Sequence, residues 1–108
     1  MLRGEIWWVS FAAASGGEIQ KTRPAVIVSN DAANRHANRV QVVPVTSNLA
    51  KHYPCDAEVI IDGRTCRAMA DQLMTVSKHR LTDRIGVLNH AELRALETAI
   101  RIQLALVL

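Results

Sequence analysis

The chain has 108 residues, of which 49% are hydrophobic and 21% charged, and its formal net charge is +3. This length fits one domain, residues 1–108, and this balance excludes intrinsic disorder, which requires low hydrophobicity and high net charge. Because no signal-like segment opens the chain and no apolar run approaches the roughly 20 residues that span a bilayer, we expect a cytoplasmic protein without a membrane partner.

Five short segments have the composition of β-strands. They are apolar or alternating, several are rich in Val and Ile, and they are bounded by Gly, Asn, Asp or Pro. These segments are residues 5–10, 24–30, 40–46, 57–61 and 67–76. Pro44 interrupts the third segment, which predicts an edge strand or a bulge, because proline cannot donate a hydrogen bond to a sheet.

The remaining segments read as loops and helices. Residues 12–22 contain Gly16-Gly17 and predict a surface loop. Residues 31–38 fit either a short helix, capped by Asn30 or Asp31, or a loop.

The last helix is the clearest element of the sequence. Asn89 can cap it, Glu92 stands three positions later as in a capping box, and four apolar residues share one face: Leu93, Leu96, Ile100 and Leu104. Many short strands with one terminal helix and no βαβ alternation indicate a mainly β fold, as a small barrel or a strongly bent sheet.

Cysteines and histidines give no sign of a metal site or a disulfide. Cys55 and Cys66 are the only cysteines, and we expect them to be reduced packing residues. The four histidines have no helical pair and no Cys-x-x-Cys partner, so we expect no metal and no cofactor.

Arg23 is the first candidate for chemistry. It stands before Pro24 where the loop meets a strand, and its planar fork of donors suits phosphate oxygens. The alternative is an exposed arginine that is solvated or paired with Glu18.

Polar side chains at the ends of two further segments are the next candidates. Thr46, Ser47 and Asn48 follow a buried run and could contact a ligand, or they could bond local backbone amides as turn residues. Asp71 and Gln72 lie in an apolar run, where a charge must be paired, hydrogen-bonded or part of a site.

Trp7 and Trp8 offer aromatic surfaces on which the bases of a single strand could stack. Neighbouring strand residues face opposite sides of a sheet, so at most one of the two lies on the core face. Packing in the core or in a dimer is the favoured role for both.

Six segments, taken in order along nearly the whole chain, resemble the MazF/PemK toxin family. They are Arg3-Gly-Glu-Ile-Trp7, Lys21-Thr-Arg-Pro-Ala-Val-Ile-Val-Ser-Asn30, Val42-Val-Pro-Val-Thr-Ser-Asn48, Tyr53-Pro54, Ala68-Met-Ala-Asp-Gln72 and Arg84-Ile-Gly86. The resemblance implies an SH3-like barrel that forms a homodimer and cleaves single-stranded RNA sequence-selectively without a metal. It also implies a small antitoxin that occupies the RNA groove.

The resemblance assigns the principal catalytic roles to Arg23 and Thr46. The ribose 2′-hydroxyl would attack the adjacent phosphorus, with Arg23 stabilising the negative charge and Thr46 orienting the phosphate. Since arginine does not readily give up its proton, Glu18 in the nearby loop is the expected general base. The expected RNA-binding residues are Lys21, Ser47, Asn48, Asp71 and Gln72.

Two rival functions use the same barrel. One is a toxin that poisons DNA gyrase, and the other is a binding module whose site no longer cuts. The Arg-Pro and Pro-x-Thr elements, at Arg23 and Thr46, favour the nuclease.

Overall fold

A computed structural model describes residues 1–11 and 21–107 of the chain. The strands within these residues are β1 Glu5–Phe11, β2 Lys21–Ile27, β3 Arg39–Thr46, β4 Asp56–Ile61, β5 Arg64–Met69, β6 Met74–Ser77 and β7 Leu81–Val87. The helices are α1 Asp31–His36 and α2 His90–Leu104, and short 3₁₀ turns cover Ala70–Gln72 and Lys78–Arg80. Neither α1 nor α2 is long and apolar enough to cross a membrane.

All described strand pairs are antiparallel and belong to one sheet. The strand order is β4-β5-β3-β2-β1-β7, and β6 pairs with one end of β3. Within the described residues β4 does not pair with β7, so the sheet is a curled half-barrel. This confirms the predicted mainly β fold with a C-terminal helix.

Helix α2 is attached to both sides of the half-barrel. The backbone N–H of Ile60, in β4, donates to Glu92 Oε2 at 2.7 Å. Arg3, just before β1, forms a 2.9 Å ion pair with Glu97. The helix therefore covers part of one face of the sheet.

The apolar core consists of two clusters, one on each face of the sheet. The larger one lies between the sheet and α2, where Leu96 is fully buried and Leu93 and Ile100 are partly buried. Leu104, the last of the four residues on the predicted apolar face, is half exposed rather than packed, because it ends the helix beyond the buried turns. The second cluster lies on the opposite face and comprises Val9, Ala25, Ile27, Val40, Val42, Val76 and Leu81.

Both predicted helix caps are confirmed. Asn89 Oδ1 accepts a hydrogen bond from Glu92 N at 2.8 Å, and Glu92 Oε1 accepts one from Asn89 N at 3.0 Å, which completes a capping box. Asn30 caps α1 by accepting a hydrogen bond from Ala33 N. The segment after β2 is therefore a helix, and Asn30 rather than Asp31 is its cap.

The predicted single strand at residues 67–76 was wrong. The chain leaves β5 at Met69, turns through Ala70–Gln72 and resumes as β6. The reason is that β5 pairs with the end of β3 while β6 pairs with its beginning, so the chain must turn between them.

Strand boundaries elsewhere also differ from the prediction. Strand β2 begins at Lys21 and ends at Ile27, three residues earlier at each end than predicted. Strand β7 was not predicted, since it exposes most of its side chains and offers few apolar positions.

Pro44 is buried and lies in β3, which has neighbours on both sides, so the predicted edge position was wrong. Pairing with β6 ends at Val42, and pairing with β5 begins at Val45. Pro44 therefore falls where the strand changes partners, and this is how the sheet accommodates a residue without an N–H.

The first of the six quoted segments has a structural role. Arg3 donates through Nε to the Val28 carbonyl at 3.0 Å, and Gly4 has a φ of +92°, a conformation that favours glycine. Glu5 accepts hydrogen bonds from Leu2 N at 2.9 Å, from Trp7 Nε1 at 3.0 Å and from Arg84 Nε at 3.1 Å.

These bonds should make stability depend on pH through Glu5. Partial burial raises the pKa of this carboxyl, but the hydrogen bonds from Leu2, Trp7 and Arg84 outweigh it, so the pKa is lower than its ordinary value. A lowered folded-state pKa stabilises the protein above the ordinary carboxyl pKa of about 4.3, and this contribution is lost as pH falls through the folded value. We expect Glu5→Gln to lower the free energy of unfolding at pH 7, as measured by urea titration. Below pH 4 the free energies of unfolding of the variant and of wild type should become increasingly similar. An unchanged difference at low pH would contradict this role.

Candidate active site

A pocket of about 420 Å³ opens on the sheet, and no residue of α2 lines it. Three neighbouring strands, β1, β2 and β3, and the hairpin formed by β4 and β5 contribute to it. Its lining residues are Trp8, Arg23, Pro24, Val45, Thr46, Ser47, Ile61, Asp62, Arg64 and Cys66.

The floor of the pocket continues the face of the sheet that forms the larger core cluster. Side chains two residues apart along a strand share a face, so Trp8 lies on the same face as Ile6, which is buried in that cluster. Pro24 in β2 lies on the same face, since it pairs with Trp8 and stands two residues before Val26, which is buried in that cluster. The sheet therefore holds these floor residues through its packed core.

Arg23 and Thr46, the two predicted catalytic residues, both line this pocket, and their catalytic roles stay predictions. Each stands next to a floor residue, Pro24 or Val45, at what we call the rim of the pocket. The Arg23 guanidinium forms no ion pair or hydrogen bond with any of the described residues. Arg23 therefore lines a pocket whose volume is in the range of small-molecule sites.

The turn interpretation of Thr46 and Asn48 is confirmed, and it leaves Thr46 able to act. Asn48 N donates to Thr46 Oγ1 at 3.1 Å, and Ala50 N donates to Asn48 Oδ1 at 2.9 Å. Because the Thr46 hydroxyl accepts this bond, its own proton remains available to a phosphate oxygen. Ser47 is exposed and also lines the pocket, whereas Asn48 is exposed and does not.

The hairpin of β4 and β5 supplies two charged residues that the sequence prediction missed. Asp62 and Gly63 connect the strands with positive φ values of 51° and 76°, and Ile61 pairs directly with Arg64. Both values fit a type I′ turn, for which Asp-Gly is a favoured sequence. The Asp62-Gly63 dipeptide is the sequence feature that could have identified these two residues, because it predicts a tight hairpin with Asp62 and Arg64 at its tip.

Besides Asn48, three further predicted RNA-binding residues lie outside the pocket. Lys21 is exposed at the start of β2, and Asp71 and Gln72 are exposed on the 3₁₀ turn after β5. Asp71 stands in an apolar run of the sequence, but the chain turns there and exposes its side chain, so it does not need the partner that was expected for a buried charge. Their contact with RNA stays a prediction.

Glu18, the predicted general base, lies outside the described residues, so its role stays a prediction.

The two tryptophans have different surroundings. Trp7 packs against the second core cluster, as predicted. Trp8 is 39% exposed and lines the pocket, so it does not pack in the core, and the alternative that it packs in a dimer stays a prediction. The alternation of a strand separates the two indoles onto opposite faces.

One group of side chains outside the pocket has ligand atoms close together. A sulfur or carboxylate oxygen from each of Cys55, Asp56 and Asp71 lies within 4.8 Å of the others. The carboxylate of Asp56 is already bound by Arg67 at 2.8 Å, and this positive charge opposes a cation at the same group. Cys55 and Cys66 are free thiols that pack at the larger core cluster, as predicted.

Comparison with known proteins connects this geometry to a family. Residues 2–104 match the sequence model of the PemK-like, MazF-like toxins of type II toxin-antitoxin systems. The chain is 43% identical to endoribonuclease MazF9 of Mycobacterium tuberculosis, and the alignment covers 98% of each chain. It is 28% identical to endoribonuclease EndoA of Bacillus subtilis over 97% of this chain and 95% of the relative.

A solved structure has the same fold. It is an endoribonuclease in complex with its cognate antitoxin from a mycobacterial species. The TM-score is 0.82 at 28% identity, and the match covers 100% of this chain and 98% of that one.

Proposed function

Because the chain belongs to the family of PemK-like, MazF-like toxins of type II toxin-antitoxin systems, we propose that it is an endoribonuclease toxin that cuts single-stranded messenger RNA at selected sequences. Cutting would inhibit translation and growth until a cognate antitoxin neutralises the toxin. One observation carries this proposal: Arg23 and Thr46, far apart in sequence, line the same open pocket.

The proposed reaction uses the RNA's own 2′-hydroxyl as nucleophile. Its oxygen attacks the adjacent phosphorus, the bond to the 5′-oxygen breaks, and the products are a 2′,3′-cyclic phosphate and a 5′-hydroxyl. Arg23 stabilises the negative charge that develops on the phosphoryl oxygens, and the Thr46 hydroxyl donates to one of them and fixes the phosphate. Two observations support these roles: the Arg23 guanidinium has no ion-pair partner among the described residues, and the Thr46 hydroxyl accepts a hydrogen bond and keeps its own proton.

Proton transfer requires a further group. Glu18 is our candidate base, because it is the carboxylate that lies five positions before Arg23 in the sequence. Five further residues are proposed to hold the flanking RNA: Lys21, Ser47, Asn48, Asp71 and Gln72.

The active form is proposed to be a cytoplasmic homodimer of single-domain subunits, with an RNA groove shared between them. Exposed apolar side chains at the end of α2 support association, since Ile102, Leu104 and Leu106 are each about half exposed. Light scattering at micromolar concentration should give twice the mass of one chain, and a fully active monomer would contradict the shared groove.

Metal-free cleavage is the direct test of this function. Asp62 is the only carboxylate among the described residues that line the pocket, which is a poor ligand set for a divalent ion. We expect purified protein to cut single-stranded RNA at an unchanged rate in excess EDTA, with 5′ ends that map to one short sequence. Binding without cutting would overturn the nuclease proposal and favour a non-catalytic toxin.

A further inference from the structure

The floor of the pocket presents an aromatic surface to solvent. Trp8 is 39% exposed and lies beside its cross-strand partner Pro24, while Val45, Ile61 and Cys66 complete an apolar surface. The large Trp8 side chain is therefore exposed, rather than buried, in the pocket that the cationic Arg23 also lines. Aromatic side chains beside cationic groups are typical of sites on which unpaired bases stack.

The opposite wall carries a hydrogen-bond donor and an acceptor on one rigid turn. Arg64 pairs directly with Ile61 at the base of the Asp62-Gly63 turn, so the backbone at both charged residues has a defined position relative to the floor. Arg64 forms no ion pair with any carboxylate in the part of the chain that the structure describes. Its guanidinium is therefore available to a ligand.

The charged and polar residues around the pocket fall into two pairs that suit different parts of an RNA. Arg23 and Thr46 offer only donors to a phosphate, whereas Asp62 beside Arg64 would repel one. A carboxylate next to a guanidinium instead matches the edge of a base, which carries amino or imino donors next to carbonyl or ring-nitrogen acceptors.

We propose that the pocket holds one unpaired RNA base next to the scissile phosphate, stacked on Trp8 and recognised at its edge by Arg64 and Asp62. This inference rests on the proposed ribonuclease function and adds the residues that select the cleavage sequence. Base selection by this hairpin makes Arg64 a specificity-determining residue, and the phosphate chemistry stays with Arg23 and Thr46.

The first test measures selectivity with Arg64→Gln. Wild-type and variant protein cut a panel of short RNAs in which each nucleotide around the cleavage site is replaced in turn by the other three bases. We expect the variant to lose about 5- to 100-fold of its preference at one position and to keep its preferences elsewhere. Arg94→Gln, on the exposed surface of α2 and outside the pocket, removes the same charge and should keep the wild-type pattern.

The second test locates the stacked base on uncleavable RNA that carries a deoxyribose at the cut. Removing the base at each position in turn should weaken binding to wild type about 5- to 150-fold at the position that Arg64 selects. In Trp8→Leu the same removal should cost much less, because the stacking partner is gone, and Trp8→Phe should restore most of the effect. Thermal melting checks that both variants fold.

The outcomes separate this inference from the proposed function. If wild type cuts RNA but Arg64→Gln loses activity equally on all sequences, Arg64 is a phosphate contact and the inference is wrong. The inference also fails if the abasic position with the largest effect differs from the Arg64 position, or if base removal costs the same in Trp8→Leu as in wild type. If wild type neither binds nor cuts RNA, the proposed function fails and the inference fails with it.

Discussion

Arg23→Ala should reduce the rate of RNA cleavage by at least about 100-fold while the protein remains folded. Losing one group that stabilises transition-state charge typically costs a factor of 100 to 1,000 in rate. Arg23 forms no ion pair with the described residues and lies at a pocket rim, so its loss removes little packing. Single-turnover cleavage and thermal melting of the same preparations measure both properties.

Two further variants sharpen the Arg23 experiment. Arg23→Lys keeps the charge and loses the planar fork, so we expect a smaller but clear loss of rate. Arg94→Ala removes an exposed arginine of α2 outside the pocket and should cut at the wild-type rate. A folded Arg23→Ala protein with near wild-type rate would remove Arg23 from the mechanism.

An RNA with one deoxyribose on the 5′ side of the cut should not be cleaved at that bond. The substitution removes the proposed nucleophile and leaves the phosphate, the bases and their contacts in place. We expect the rate at this bond to fall to background and the binding affinity to change little. A deoxyribose one nucleotide further along is the matched control and should be cut normally.

The elements with strong local signals were predictable from the sequence. The Asn89–Glu92 capping box and the apolar face around Leu96 define α2. Runs that contain Val and Ile define β2 and β3, the strands in which Arg23 and Thr46 lie. In both cases the residues that decide the structure lie close together in the chain.

Elements that depend on distant contacts were not predictable in this way. The chain turns at Ala70–Gln72 because β5 and β6 pair with opposite ends of β3. No local sequence pattern indicates this pairing. Pro44 is tolerated inside the sheet for the same reason. Strand β7 exposes most of its side chains and depends on its pairing with β1.

The site was predicted in part. Arg23 and Thr46 came from the family resemblance, and local chemistry alone left each with a plain structural alternative. Arg64 and Asp62 were missed because their importance comes from a tight turn that brings β4 and β5 to the pocket. Trp8 was assigned to packing in the core or in a dimer, because a tryptophan in an apolar strand is usually buried, whereas here its side chain is exposed at the pocket.

The chemical identity of the new RNA ends tests the central claim most directly. Mass spectrometry of fragments from a short time course with wild-type protein in EDTA reads both ends at the cut. Attack by the 2′-hydroxyl predicts a 2′,3′-cyclic phosphate on the upstream fragment and a 5′-hydroxyl on the downstream fragment. A 3′-hydroxyl with a 5′-phosphate would show that water is the nucleophile and would contradict the roles assigned to Arg23 and Thr46.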